Sequence, residues 1–212
     1  MNVSSGKENI LKKIRKALTQ STPLPFPKSE GTNSVFNPSV QDLEVEFAEQ
    51  FSHLQGKFVF CLDYAEVVAQ LRSILASNKW SRVFCKESEL GAALKKEGFD
   101  AFNAEGLADC DVAITGCEFL VARTGSIVMS SGQQSGRTTS VYAPVHICVA
   151  HSSQLVFDVK NGLESLKIKY PGGLPSMITF ASGPSRTADI EKTLVVGVHG
   201  PKEVFVFLVD GL

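Results

Sequence analysis

The chain has 212 residues, of which 43% are hydrophobic and 20% are charged, and its formal net charge is −1. This is the composition of an ordinary globular protein with enough apolar material for a core. A balanced charge provides no overall field for nucleic acid or for an anionic membrane, so we expect neither as a partner. No apolar run reaches the roughly 18 residues of a membrane span, and the N-terminus lacks the apolar core of a signal peptide, so the expected location is cytoplasmic.

The five cysteines and four histidines are scattered along the chain. No Cys-x-x-Cys pair occurs, and the histidines do not have the HExxH spacing of a zinc site. Iron–sulfur clusters need closely spaced thiolates, and structural zinc needs a comparable ligand set. The sequence therefore predicts buried reduced thiols, no metal site and no cofactor in this chain.

The first predicted element is a helix, because apolar residues recur at helical spacing between Ile10 and Leu18. Ser5 and Glu8 form a capping-box pattern at its start. Residues 21–39 contain four prolines, each of which fixes φ and removes a backbone donor. We expect a helical arm followed by an extended linker.

From residue 40 onward, helical and strand patterns alternate. Helices are predicted to begin near Val40, Tyr64, Glu87 and Val159, and strands are predicted at 57–62, 82–85, 111–115, 119–123, 126–130, 145–150, 176–181, 193–198 and 203–209. Such alternation is typical of parallel βαβ units, whose helices cover both faces of a sheet. The predicted division is a helix and linker over residues 1–39 and an α/β domain over residues 40–212.

The polar segment 182–189, SGPSRTAD, follows a predicted apolar strand. Small residues allow backbone N–H groups to approach a ligand, and Arg186 could clamp a carboxylate or phosphate. We place this segment at the carboxyl end of a parallel strand, where open α/β sheets bind ligands. The alternative is a self-satisfied turn in which Asp189 pairs with Arg186. The candidate ligand-binding residues of the segment are Gly183, Ser185, Arg186 and Thr187.

Two further segments could face this one. Thr124, Gly125 and Ser126 form either a tight turn or an anion-binding nest of backbone amides. His199 lies between two glycines after an apolar strand, where it could transfer a proton or end the strand through a carbonyl contact. The candidates for proton transfer or for orienting the ligand are His199, Asp189 and Glu191.

The string SGPSRTADIEKTLVVGVHGPKE, residues 182–203, resembles the closing signature of the lactate-utilisation protein C family (LutC/YkgG, the LUD domain). The Thr-Gly pairs at 115–116 and 124–125 and the Pro-Val-His at 144–146 match the order of elements in that family. The resemblance implies a three-layer α/β fold similar to the NagB/RpiA/CoA-transferase group, with a mostly parallel central sheet and an N-terminal helical arm. One departure is Arg123, because relatives commonly carry an acidic residue just before this Thr-Gly turn.

The resemblance also implies a role. Family members act with two iron–sulfur proteins in oxidising L-lactate to pyruvate, and the clusters would belong to those partners. We therefore expect an accessory or ligand-binding subunit of such a complex, with a small anionic ligand. The alternative is a stand-alone enzyme, a transferase or isomerase acting on CoA or a sugar phosphate at the strand-end site.

Overall fold

The structure is a computed structural model that describes residues 5–19, 39–190 and 193–210. The chain divides into two compact units, Met1–Pro38 and Ser39–Leu212. The first unit contains the predicted helix, α1 (Ser5–Leu18), on which Ile10, Ile14 and Leu18 are exposed. The side chain of Ser5, and with it the predicted capping box, lies outside what the structure describes.

The second unit alternates helices and strands through most of its length. In chain order its elements are α2 (Leu43–His53), β1 (Lys57–Cys61), α3 (Tyr64–Asn78), β2 (Val83–Cys85), α4 (Ser88–Lys96), β3 (Val112–Thr115), β4 (Phe119–Val121), a 3₁₀ turn (Ala122–Thr124), β5 (Ser126–Ser130), α5 (Thr139–Tyr142), β6 (Val145–His151), a 3₁₀ turn (Ser152–Gln154), β7 (Leu155–Val156), α6 (Val159–Lys169), β8 (Ile178–Ala181), β9 (Arg186–Ile190), β10 (Thr193–Val196) and β11 (Glu203–Val209).

The central sheet has five strands in the order β1-β11-β6-β3-β2. Every neighbouring pair in it is parallel, which confirms the predicted α/β fold with a mostly parallel central sheet. Its middle strands are continuous apolar runs because both of their faces are buried. The carboxyl ends of β2, β3 and β6 therefore lie along one edge.

A second sheet, with the strand order β7-β4-β5-β8, is not hydrogen-bonded to the central sheet. Strand β5 is antiparallel to both β4 and β8, whereas β4 and β7 are parallel. Strands β9 and β10 form a separate antiparallel hairpin. This arrangement was not predicted from the sequence.

The core lies on both faces of the central sheet. On one face, α3 and α4 contribute Leu71 and Leu94, which pack with buried residues of the sheet such as Ile147. On the other face, Phe47 and Phe51 of α2 lie in one cluster with buried residues of both sheets. Burial of each such side chain contributes about 2 kcal/mol of hydrophobic stabilisation.

Three details of the predicted elements were wrong. The strand predicted at 119–123 ends at Val121 and continues as a 3₁₀ turn. The polar segment 182–189 is only partly a loop, because Arg186–Ile190 is strand β9. Moreover, this segment follows β8, which is antiparallel to β5 and belongs to the second sheet, so it is not at the carboxyl end of a parallel strand.

Two further observations concern the described ranges as a whole. No helix within them is both long enough and apolar enough to cross a bilayer. Among the same residues, no group of three or more His, Cys, Asp or Glu side chains is arranged to hold a metal ion. The thiols of Cys61, Cys110, Cys117 and Cys148 are buried, and that of Cys85 is half-buried.

Candidate functional site

The predicted ligand loop packs against the C-terminal end of α2. Gly183 has a φ of 82°, and a Cβ at this position would collide with the carbonyl oxygen of Leu54. The Nη2 of Arg186 donates a hydrogen bond of 2.6 Å to the same carbonyl oxygen. Carbonyl groups at a helix C-terminus lack intrahelical donors, so the guanidinium satisfies one of them. In this structure, Arg186 therefore fastens the loop to the end of the helix.

The Thr-Gly-Ser turn meets the same loop. The hydroxyl oxygen of Ser126 lies 2.8 Å from that of Thr124 and 2.7 Å from that of Ser182. The backbone N–H of Gly125 donates to the carbonyl oxygen of Ala122. These are the contacts of a turn, which was the first of the two alternatives for this segment. The assignment of these residues as ligand-binding groups stays a prediction.

Several signature residues surround one cavity of about 270 Å³ between the two sheets. Its polar lining side chains are Ser140, His146, Thr179, Ser182, Ser185 and His199. An adjoining cleft of about 440 Å³ shares His199 and adds Lys202. No carboxylate among the described residues lines either space. We call these two spaces together the signature cavity.

The backbone of the signature closes this cavity on one side. The N–H of Ser185 donates to the carbonyl oxygen of Pro201 at 2.9 Å, and the N–H of Gly197 donates to that of Ser185 at 2.8 Å. Gly200 approaches Ser185 so closely that an added Cβ would be 2.7 Å from the Cβ of Ser185. The glycines therefore allow the two halves of the signature to touch.

His146 forms the inner wall of the signature cavity. Its side chain is buried, and its Nε2 lies 2.8 Å from the hydroxyl oxygen of Thr115 on the neighbouring strand. Burial lowers the pKa of His146 to about 4. The ring is therefore neutral at physiological pH and presents a dipole, not a charge, to the cavity.

The structure describes the remaining predicted site residues only in part. Thr187 is half-buried in β9 and, like Arg186, does not line the cavity. Asp189 belongs to β9, but its side chain is outside what the structure describes. Glu191 lies outside the described residues altogether.

A larger cleft of about 560 Å³ opens at the carboxyl edge of the central sheet. Glu87, Gly116 and His151 lie at the carboxyl ends of β2, β3 and β6 respectively. Its other lining residues are Tyr64, Glu89, Leu90, Ala93, Cys117, Gln133, Gln134, Val149, Gln154 and Lys169. None of these residues was predicted to belong to a site. We call this space the carboxyl-edge cleft.

The polar groups of the carboxyl-edge cleft are held in place by specific contacts. The N–H of Gly116 donates to Oε2 of Glu87 at 3.0 Å. The hydroxyl of Tyr64 lies 3.1 Å from Nε2 of His151. Burial raises the pKa of Tyr64, so its hydroxyl keeps the proton at neutral pH. Tyr64 and His151 thus form a hydrogen-bonded pair between α3 and the end of β6.

A buried carboxylate anchors one wall of the same cleft. Glu118 accepts hydrogen bonds from Ser130 Oγ at 2.6 Å, from Lys169 Nζ at 2.6 Å and from the Tyr170 hydroxyl at 2.7 Å. Burial would raise the pKa of this carboxyl, but the hydrogen bonds from Lys169, Ser130 and Tyr170 outweigh burial, and the pKa lies below its ordinary value. Glu118 therefore stays ionised and ties the end of α6 to the second sheet.

Comparison with known proteins identifies the family. Residues 45–209 match the family model of the LUD domain. This chain belongs to the LUD domain family. It is 38% identical over 108 residues to lactate utilization protein C of Halalkalibacterium halodurans, covering 50% of this chain and 47% of that protein. It is 30% identical over 129 residues to an uncharacterized protein of Neisseria meningitidis, covering 61% and 55% respectively.

Two further comparisons bear on length and fold. Lactate utilization protein C of Bacillus licheniformis is 31% identical over 138 residues, covering 64% of this chain and 55% of the relative. The LUD chain thus spans about half the length of the curated relatives that it matches. A crystal structure of a DUF162 family protein from Deinococcus radiodurans superposes with a TM-score of 0.56 at 20% identity, covering 82% of this chain and 99% of that one. At this identity, the match supports the fold alone.

Arg123 of this LUD domain has a partner. Its Nη2 lies 2.8 Å from Oδ1 of Asp158, the residue that caps the N-terminus of α6. The backbone N–H of Arg123 donates to the carbonyl oxygen of Phe157. The guanidinium charge is therefore matched by a carboxylate, and Arg123 links the 3₁₀ turn to α6.

One feature of the sequence could have indicated the residues of the carboxyl-edge cleft in this LUD domain. Gly116 immediately follows β3, Glu87 is the second residue after β2, and His151 is the last residue of β6. The rule that ligands bind at the carboxyl ends of parallel strands points to such positions. Applying it requires knowing which strands are parallel neighbours, and local patterns do not reveal that.

Proposed function

We propose that this LUD-domain protein is an accessory or ligand-binding subunit of a lactate-utilisation system that oxidises L-lactate to pyruvate. The observation that carries the proposal is the family match over residues 45–209, together with relatives named lactate utilization protein C. The cysteines of this chain are scattered and mostly buried. In the proposal, the iron–sulfur clusters that accept the electrons therefore belong to partner subunits.

The signature cavity is the proposed site for a small anionic ligand, such as a 2-hydroxy or 2-oxo carboxylate. Three observations support this choice: the cavity contains Ser185 and His199, Lys202 lines the adjoining cleft, and none of the described lining residues carries a carboxylate. Hydroxyl and imidazole donors beside a lysine favour an anion over a cation. Arg186 and Thr187 continue the chain from Ser185 and remain proposed contributors.

A genetic experiment tests the role in lactate utilisation. Deletion of the gene should prevent growth on L-lactate but not on pyruvate, and a wild-type copy should restore growth. The tagged protein, purified gently from its own host, should carry iron–sulfur proteins with it. Unimpaired growth on L-lactate in a strain without a paralogue would contradict the proposal.

A binding experiment tests the site. L-lactate, pyruvate or phosphate should raise the melting temperature of the full chain, because a ligand stabilises the folded state that it binds. His199→Gln and Lys202→Gln should each weaken the affinity about tenfold, which is about 1.4 kcal/mol. Lys160→Gln on the exposed side of α6 is the matched control. Equal affinities in all variants would exclude the signature cavity as the site.

A further inference from the structure

The two edges of the central sheet differ in how they are protected. Strand β2 forms one edge with only three residues, and an isolated β-bridge to Phe102 covers its Val83. Strand β1 forms the other edge with five residues, and no described strand pairs with its outer side. An open edge recruits other strands unless it is short or carries charges, prolines or bulges. We propose that β1 pairs antiparallel with β1 of a second copy of this chain, which joins the two central sheets into one.

The sequence of β1 contains none of these protective features after its first residue. Lys57–Cys61 reads KFVFC, without proline, and its register with β11 has no bulge. The ring of Phe58 is covered by α2, since its centre lies 6.0 Å from that of the Phe47 ring. On the same face of the strand, Phe60 is 47% exposed and Leu62, just past the strand, is 62% exposed. Apolar side chains beside an open edge form a surface that another strand can cover.

The hydrogen bonds of β1 show which backbone groups point toward its open side. The carbonyl oxygen of Cys61 accepts from the N–H of Asp210, which directly follows β11, at 2.8 Å. The N–H and C=O of one strand residue point to the same side, and successive residues alternate. The backbone groups of Phe58 and Phe60 therefore point away from β11. Phe60 thus presents a donor and an acceptor near the middle of the open edge.

A register centred on Phe60 suits these backbone groups. In an antiparallel pair of identical strands, residues whose backbone groups point outward lie opposite each other. With the two-fold axis at Phe60, the two copies of this residue exchange both of their backbone hydrogen bonds, and Phe58 lies opposite Leu62. The N–H of Leu62 donates to Oε2 of Glu66 at 2.8 Å, so its carbonyl oxygen remains to accept from Phe58. The exposed Phe60 side chains then pack against each other across the axis.

The charges at the two ends of β1 favour this register over its neighbours. In it, Lys57 of each copy lies opposite Asp63 of the other, and opposite charges that face each other across two strands stabilise the pairing. Asp63 is exposed, has an extended backbone and forms no ion pair with any described residue. Lys57 pairs with Glu203, and its ammonium group has donors for a second carboxylate. Moving one copy by two residues would place Lys57 opposite Cys61 or Ala65 instead.

The mass of the full chain in solution tests the proposal. Sedimentation equilibrium at about 100 μM should give twice the mass of one chain, because a contact of micromolar affinity is occupied at this concentration. Phe60→Lys places two like charges at the two-fold axis and should give the mass of one chain, with an unchanged circular dichroism spectrum. The control is Ile168→Lys, at an exposed apolar position on α6, which should remain dimeric. A monomeric wild type, or a dimeric Phe60→Lys variant, would overturn the proposal.

Disulfide cross-linking tests the register. In the proposed pair, the two Cα atoms at position 60 lie about 5.5 Å apart, which is a usual separation for a disulfide. Diamide, which accepts the two electrons and two protons that a pair of thiols releases, should convert Phe60→Cys into a covalent dimer, and peptide mass spectrometry should assign the bond to position 60. Leu62→Cys is the matched control, because position 62 is more exposed but lies about 14 Å from its counterpart. Equal cross-linking of both variants, or none in Phe60→Cys, would refute the proposed pairing.

Discussion

The hydroxyl oxygens of Ser126 and Ser182 lie 2.7 Å apart, although 56 residues separate them in the chain. The contact joins the start of β5 to the end of β8, and the Thr124 hydroxyl extends it at 2.8 Å from Ser126. The two segments proposed from the sequence to face one another therefore meet in space, and they satisfy each other's hydroxyl groups.

The contributions of the Ser126 and Ser182 hydroxyls to stability should depend on each other. Ser126 is buried, so Ser126→Ala should lower the free energy of unfolding by about 1 kcal/mol, whereas Ser182→Ala should cost less because the Ser182 side chain is exposed to water. Urea denaturation of the two single variants and the double variant should reveal a coupling energy of about 0.5 kcal/mol or more. Strictly additive losses would show that the two hydroxyls do not stabilise the fold together.

Gly125 should be intolerant of any side chain. Its φ is 55°, and a Cβ there would lie 2.6 Å from the backbone nitrogen of Phe51 in α2. We expect Gly125→Ala to lower the free energy of unfolding by about 3 kcal/mol, since left-handed strain adds to a clash with a helix backbone.

Gly136 provides the matched control for Gly125. Its φ is 69°, but a Cβ there would meet nothing within 4 Å. Gly136→Ala therefore isolates the backbone strain and should cost about 1 kcal/mol in the same denaturation assay. If the two variants lose equal stability, the close approach of the turn to α2 is not what requires glycine at position 125.

Much of the fold was accessible from local patterns. The apolar runs of β1, β3, β6 and β11 and the periodic helices α3 and α4 were predicted close to their observed bounds, because continuous apolar strands between amphipathic helices indicate a covered parallel sheet. The family resemblance rested on the string from Ser182 onward. The family model, which covers residues 45–209, confirms it.

The features of the fold that were not predicted depend on pairing between segments that are distant in the chain. The apolar run of β8 reads like a parallel strand, yet it pairs antiparallel with β5. Arg186–Ile190 reads like a loop because it is polar, and it becomes a strand only through its hairpin partner β10. The Glu118 network joins three segments, at residues 118, 130 and 169–170, whose local sequences show no shared pattern. Register and partner choice are set by the assembled core, and a single sequence does not display them.

Glu118 should make stability depend on pH in the acid range. Its pKa in the folded protein is below its ordinary value of 4.5, so the unfolded chain binds the proton first as the pH falls. The stabilisation is thus present above about pH 4.5 and is lost as the pH falls through the folded pKa. Glu118→Gln should cost about 2 kcal/mol near pH 7, because it removes charged hydrogen bonds to Lys169, Ser130 and Tyr170.

The control for Glu118 is Glu105→Gln, since Glu105 is exposed. Urea denaturation at several values between about pH 3 and pH 7 should show a shallower acid slope for Glu118→Gln than for the wild type, and no change for Glu105→Gln. Parallel slopes for all three proteins would mean that Glu118 is no better stabilised in the folded state than in the unfolded chain.

His146 should also make stability depend on pH, at higher pH values than Glu118 does. Burial lowers its pKa from 6.5 to about 4 in the folded protein. The unfolded chain therefore takes up a proton below about pH 6.5, and the folded protein takes it up only near pH 4. The wild type should lose about 3 kcal/mol of stability as the pH falls between these values.

A substitution that cannot titrate should remove this loss. His146→Gln retains a polar group that can reach the Thr115 hydroxyl, so it should fold, with stability that is nearly constant between about pH 6.5 and pH 4.5 apart from the carboxylate contribution. His53 is exposed, and His53→Gln should keep the full wild-type slope. Since Glu118 acts below this window, the two slopes can be separated in one set of titrations. If His146→Gln keeps the wild-type dependence of stability on pH, the imidazole gains its proton as easily in the core as in the unfolded chain. His146 would then not be a neutral residue in the lining of the signature cavity.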